Sequence, residues 1–144
     1  MHSVERTVLL PYSAAQMFDL VADVEKYPQF MPWCGGASVA DSDVNGMLAS
    51  ITISFAGIKQ TFTTRNRHTY PTRIQLALVD GPFSSLEGDW RFMALASDAC
   101  KVIFTLNYEF SSRALEAVVG PVFNRVASSF IDSFTKRAQA CYGE

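Results

Sequence analysis

The segment from Ser112 to Tyr142 decides most of what this chain can become. Leu115, Val119, Val122, Phe123, Val126, Phe130 and Phe134 recur there at three- and four-residue steps, which puts them on one face of a helix. Gly120-Pro121 interrupts that face about two turns in. Proline lacks an N–H and crowds the preceding turn, so the expectation is one long helix kinked at this pair. Nearly everything upstream reads as strands. A long aromatic helix laid across a curved sheet leaves room between the two, and a pocket for an apolar molecule is therefore the first functional expectation.

Val4 to Leu10 is β-prone and ends at Pro11. Ser13-Ala14-Ala15-Gln16 is a capping box that opens a short helix with Met17, Phe18 and Val21 inward, stopping near Asp23. Asp23 is placed to cap a second short turn through Lys26. Tyr27 to Cys34 holds Pro28 and Pro32 among Tyr27, Phe30, Met31 and Trp33, a short helix or irregular lid lying on an apolar surface. Strands follow. Asn45-Gly46 is a hairpin turn, and Met47, Ala49, Ile51, Ile53 and Phe55 alternate with polar residues after it. Lys59 to Thr69 is polar, with Phe62 as its main apolar anchor. Ile74, Leu76 and Leu78 face inward from the next strand. Leu86, Gly88, Trp90 and Phe92 share a face in the one after, where Gly88 marks a bulge, a bend or a close approach. Val102, Phe104, Leu106, Tyr108 and Phe110 line the last strand. The order is β, two short helices, six strands, long helix. An antiparallel sheet of about seven strands must curl and be covered by the C-terminal helix, an α+β helix-grip fold in one domain over residues 1–144.

Composition narrows the function. Hydrophobic residues are 49% and charged residues 18%, with net charge −2, so nothing global favours nucleic acid. A local basic group, Lys59, Arg65, Arg67, His68 and Arg73, reads first as the solvated face of a hairpin. Cys34, Cys100 and Cys141 are odd in number and lack metal spacing, as expected of reduced thiols inside a cell. The N-terminus has no signal-peptide pattern, and no apolar run nears the ~18 residues of a membrane span. Metal motifs, a phosphate loop and a nucleophile elbow are missing from the sequence, and no metal or cofactor is expected. Of the two histidines, His2 lies at the terminus and His68 reads as a surface or rim residue. Asp80, Glu87 and Asp89 read as solvated carboxylates.

What remains is an apolar interior. Its candidate walls are Phe30, Trp33, Ile51, Ile53, Phe55, Leu76, Leu78, Phe83, Trp90, Phe92, Phe104, Leu106, Tyr108, Phe123 and Phe130, with Tyr27, Pro28, Pro32 and Pro121 at the mouth. Any one of these side chains is explained by a filled core. The eleven phenylalanines, the expected kink and the lid together favour a cavity.

Several strings carry a family likeness. Val8-Leu9-Leu10-Pro11-Tyr12-Ser13-Ala14 with Met17-Phe18, then Asp23 to Phe30 and Pro32, are the first. Thr61 to Asn66, Leu78-Val79-Asp80-Gly81-Pro82-Phe83, Tyr108-Glu109-Phe110 and Gly120-Pro121-Val122-Phe123 continue them in order. The chain resembles the ribosome-association toxin and coenzyme Q-binding START-like family of the polyketide cyclase and lipid-transfer superfamily. The resemblance implies a helix-grip fold with a hydrophobic tunnel and a pocket-mouth role for Tyr27, Phe30 and Pro32. It implies two roles. One is a non-enzymatic carrier of ubiquinone or a related lipid that supports respiration. The other is the toxin of a toxin–antitoxin pair that binds the large ribosomal subunit and blocks subunit association. Lys59, Arg65, Arg67 and Arg73 are the candidate ribosome contacts. A cytoplasmic bacterial protein, meeting the inner membrane transiently and a cognate antitoxin as partner, fits both. A small cyclase-type enzyme is the third and weakest reading, because Tyr108, joined by His68 only if that ring turns inward, is all the interior offers for moving protons.

Overall fold

The computed structural model describes residues 2–143. Its strands are β1 (His2–Leu10), β2 (Cys34–Asp43), β3 (Gly46–Phe55), β4 (Ile58–Thr69), β5 (Arg73–Asp80), β6 (Phe83–Ala96) and β7 (Ala99–Phe110). Helix α1 (Ala14–Ala22) and a 3-10 helix (Val24–Gln29) follow β1, and α2 (Arg113–Ser128) and α3 (Phe130–Tyr142) end the chain. All seven strands form one antiparallel sheet in the order β1-β7-β6-β5-β4-β3-β2. The sheet curls round α2 and α3, which is the expected helix-grip arrangement.

The local signals explain the elements. Ser13 accepts from the Gln16 amide at 3.1 Å and the Gln16 side chain accepts from the Ser13 amide at 2.9 Å, so the capping box closes both ways. Asp23 precedes the 3-10 helix but gives it no side-chain cap, and that helix runs to Gln29 rather than Lys26. At Gly46 the chain leaves the β2–β3 turn with φ +150°, and a Cβ there would collide with the Asn66 carbonyl of β4. Gly88 is not a bulge, since the β6–β7 register runs unbroken from Leu86 through Phe92. A Cβ at Gly88 would lie 2.9 Å from Leu76 Cδ1 and 3.1 Å from Leu106 Cδ1, so the close approach is by leucine methyls of β5 and β7.

The C-terminal helix differs from expectation. It is two helices and not one: α2 runs through Pro121 and ends at Ser128. Pro121 and Ala117, whose carbonyl loses its partner, are both exposed, so water can take the missing bond. The break falls at Ser129, whose hydroxyl donates to Val126 O at 2.8 Å while its amide bonds the same carbonyl at 3.1 Å. That i→i−3 closure ends α2, and the Ser129 carbonyl receives the Ser133 amide to start α3.

Between sheet and helices the aromatic rings gather in two groups. Phe62, Phe83, Tyr108 and Phe110 pack around Phe123 of α2, with centroid separations between 4.7 and 6.1 Å. Trp90, Phe104, Phe130 and Phe134 form the second group, with Trp90 stacked on Phe104 at 4.3 Å. The space between the groups is the site.

Candidate functional site

A narrow cavity lies between β3–β7 on one side and α1, the 3-10 helix, α2 and α3 on the other. Its free volume is about 50 Å³. Ile51, Leu76, Trp90, Leu106, Phe123 and Phe130 of the expected walls border it, as does Tyr27, expected at the mouth. The cavity is also bordered by Val21, Val24, Phe62, Ile74, Leu86 and Phe134, which sequence reasoning had placed only in the core or had passed over.

The other expected residues lie elsewhere. Ile53, Phe83, Phe92, Phe104 and Tyr108 are buried in the packed core beside the cavity. Trp33 is buried behind Phe130 at 5.4 Å, its indole Nε1 without a hydrogen-bond partner. Phe55 and Leu78 are half-buried near the sheet margins. Arg125 lies over the Phe55 ring at 5.9 Å. Phe30 packs on Tyr27 and Phe134 and is covered by Arg137 on its outer side. Pro28, Pro32 and Pro121 are exposed and off the cavity. Strand parity told which face these side chains take; how far along the strand the cavity reaches was not in it.

One wall is polar. Phe62, Thr64, Asn66 and His68 project inward from β4 at every second position and all border the cavity. Thr64 and Asn66 are the buried polar residues of the core, and the Thr64 hydroxyl donates to Asn66 Oδ1 at 2.6 Å. That contact leaves the Asn66 amide hydrogens as donors. His68 stands at a rim, one of the two places the sequence allowed it, and not on the open surface. It is half-buried against the Phe18 ring at 5.4 Å, and its Nε2 is buried with no partner in the protein. Burial lowers its pKa, with the Asp43 charge opposing more weakly, so the ring is neutral at pH 7. The parity that His68 shares with Phe62 allowed an inward ring, and the same parity, extended to Thr64 and Asn66, is the signal that was passed over.

Tyr27 and His68 are the titratable groups on the cavity wall. Tyr27 donates to the Val21 carbonyl, which pins the 3-10 helix to α1, and burial raises its pKa. Tyr108, off the cavity, donates to Asn124 and is pushed up to about 12 by burial. Both phenols stay protonated at neutral pH. Among the described residues no His, Cys, Asp and Glu cluster could hold a metal.

The expected ribosome contacts lie on the outer face of the sheet, where Arg65, Arg67 and Arg73 border one depression together with Glu87 and Asp89, and Lys59 stands apart from it. Arg65 and Arg67 are exposed there, with Lys59 on the same face about 20 Å away at ~3.3 Å per residue. Arg73 is clamped to Asp89 by two bonds of 2.9 and 3.0 Å, and Arg91 adds a third at 3.0 Å. Burial pushes the Asp89 carboxyl up, but these guanidinium bonds and charges outweigh it and hold the pKa below the usual value.

The profile of the polyketide cyclase / dehydrase and lipid transport family matches residues 10–135. The chain belongs to that family. It is 46% identical over 144 residues to the ribosome association toxin RatA of Vibrio cholerae, covering all of both chains. It is 28% identical over 139 residues to a mitochondrial coenzyme Q-binding protein homologue of Xenopus laevis, covering 94% of this chain and 57% of the relative. The solution structure of an 18 kDa protein from Caulobacter crescentus, 34% identical, superposes with a TM-score of 0.76 over the whole of both chains. An aromatase/cyclase from Streptomyces sp. R1128 superposes with a TM-score of 0.80 at 18% identity, over 96% of this chain and 93% of the other, a likeness of fold alone. Neither sequence relative is named for a reaction. No helix among the described residues is long and apolar enough to cross a membrane.

Proposed function

We propose that the chain is a non-enzymatic carrier for an isoprenoid quinone, ubiquinone or a lipid of similar shape, held between the sheet and the C-terminal helices. The observation that carries this reading is the row of Thr64, Asn66 and His68 set into an otherwise apolar cavity. A quinone offers carbonyl acceptors and an apolar body. The Asn66 amide and a donor at the imidazole meet the first, and Phe62, Leu106 and Phe123 meet the second. The Tyr27 hydroxyl is spent on the Val21 carbonyl, which leaves His68 as the titratable group on the wall free to move a proton, and one such group without a partner supports carriage over catalysis. The name of the Xenopus laevis relative points the same way.

Size sets a condition. An apolar cavity of ~150 Å³ accommodates a benzene ring, and the free volume here is about 50 Å³. Binding therefore requires the wall to widen as ligand enters. The leucine, isoleucine and phenylalanine side chains that line it can do this by changing rotamer. The carrier would work in the bacterial cytoplasm and meet its ligand at the inner membrane. Solvent extraction and mass spectrometry of protein purified from its own host test the reading: a co-purified quinone supports it, and lipid-free protein that ignores added quinone rejects it.

A second reading rests on the full-length identity to the Vibrio cholerae toxin. In it the chain associates with the large ribosomal subunit through Arg65 and Arg67, inhibits translation, and is opposed by an antitoxin. Co-sedimentation with ribosomal subunits at low salt tests it.

A further inference from the structure

The cavity has a neighbour. Phe18, Asp43, Val44, His68 and Tyr70 border an open depression of about 320 Å³ at the end of the sheet, between α1 and the β2–β3 turn. His68 belongs to both spaces, with one side to the depression and the other to the cavity. The Phe18 ring, edge-on to His68 at 5.4 Å and to Tyr70 at 4.9 Å, completes the partition. Two apolar side chains stand exposed at its rim, Val44 at 86% and Tyr70 at 58%. The His68 amide bonds the Asn45 carbonyl at 2.7 Å, so the rim turn is tied to the strand that carries the partition.

Position along β4 adds a direction. His68 is nearest the depression, Asn66 and Thr64 come next, and Phe62 lies farthest in, about 20 Å from His68 at ~3.3 Å per residue. Polar groups thus stand at the outer end and the Phe62, Leu86 and Phe123 group at the inner end. An amphiphile entering head first would carry its polar end past every donor into an aromatic dead end, at the cost of an unpaired buried polar group. Entering tail first, it matches both ends.

We propose that this depression is the ligand entrance, that His68 and Phe18 are its gate, and that an amphiphile binds tail inward with its acceptor head against His68 and Asn66. This rests on the carrier reading above. The entrance lies away from Pro28, Pro32 and Pro121, where the sequence had placed the mouth.

The probe is decylubiquinone, followed by quenching of Trp90 in a Trp33→Phe, Cys141→Ser background. Val44→Cys, in a turn with its side chain exposed, is labelled with a bulky maleimide; Val118→Cys, exposed on α2, is the control. Cys34 and Cys100 are buried and escape the label. Labelling at 44 should slow association and dissociation together by about tenfold, leaving Kd unchanged, while the label at 118 changes neither rate. His68→Phe should weaken binding about tenfold and His68→Gln should restore it, because only the second keeps a donor. Quenching with equal rates at both labels overturns the entrance and leaves the carrier standing. Equal affinity in His68→Phe overturns the head-outward orientation. No quenching in the unlabelled parent removes the carrier reading and this inference together.

Discussion

Leu106→Ala is the sharpest probe of the cavity. Leu106 is 2% exposed, sits in the middle of β7, and touches the space that Gly88 leaves on β6. The three carbons removed are worth about 0.8 kcal/mol each in lost burial, roughly 2.4 kcal/mol together. A cavity penalty adds to this, and buried Leu→Ala changes span about 2–5 kcal/mol. The new void joins the existing 50 Å³ instead of standing alone, so it brings the site toward the size a ring requires. The variant should be destabilised by about 3 kcal/mol in urea unfolding and should bind decylubiquinone more tightly than the parent. Ligand at ~100 times Kd then returns about 2.7 kcal/mol, most of what was lost. A destabilisation below about 1 kcal/mol would mean that Leu106 is not closely packed. Full destabilisation with no gain in affinity would mean that the void does not connect to the binding space.

Three other outcomes are expected. Because the folded pKa of His68 lies below its usual value of 6.5, the unfolded chain takes up the proton first; stability is whole above pH 6.5 and falls as pH drops through the folded pKa. The urea midpoint should drop more between pH 7.5 and 5.5 in the parent than in His68→Phe, and equal drops would refute the assignment. Pro121→Ala should raise Tm, with a gain of up to ~3 kcal/mol, and leave quinone affinity alone, since Pro121 is exposed on a helix that continues through it; altered affinity would return Pro121 to the mouth. If the chain binds ribosomes through Arg65 and Arg67, reversing both charges should lower the salt slope of co-sedimentation by somewhat under one unit per contact, whereas reversing Arg73, already held by Asp89, should not; an unchanged slope in the first variant excludes that surface.

The fold was largely legible in the sequence because its signals are local. The Ser13–Gln16 box, the Asn45-Gly46 turn and the alternation in β3, β5, β6 and β7 each depend on neighbours a few residues away. The site was legible only in part. Parity placed Leu76, Trp90 and Leu106 on the correct face, but it did the same for Ile53, Phe92 and Phe104, and only packing depth separates the two sets. Thr64 and Asn66 escaped because polar residues on a polar strand look solvated until the curl of the sheet encloses them. The helix break escaped because a serine hydroxyl bonding back to its own helix is compatible with continuation as well as with a stop.

Strand order also sets a timetable for assembly. From β2 to β7 each strand pairs with the next, so hairpins can close over short loops as the chain is made. β1 is different: His2 faces Tyr108, more than a hundred residues later. The first strand synthesised therefore waits for the last. It stays an edge of the sheet even after it docks on β7, and Glu5 and Arg6 at its centre are charges that discourage pairing with another chain. α2 and α3 emerge later still, so until they do the part of the inner face that they cover lies open, and the newborn protein is an apolar trough before it is a closed vessel.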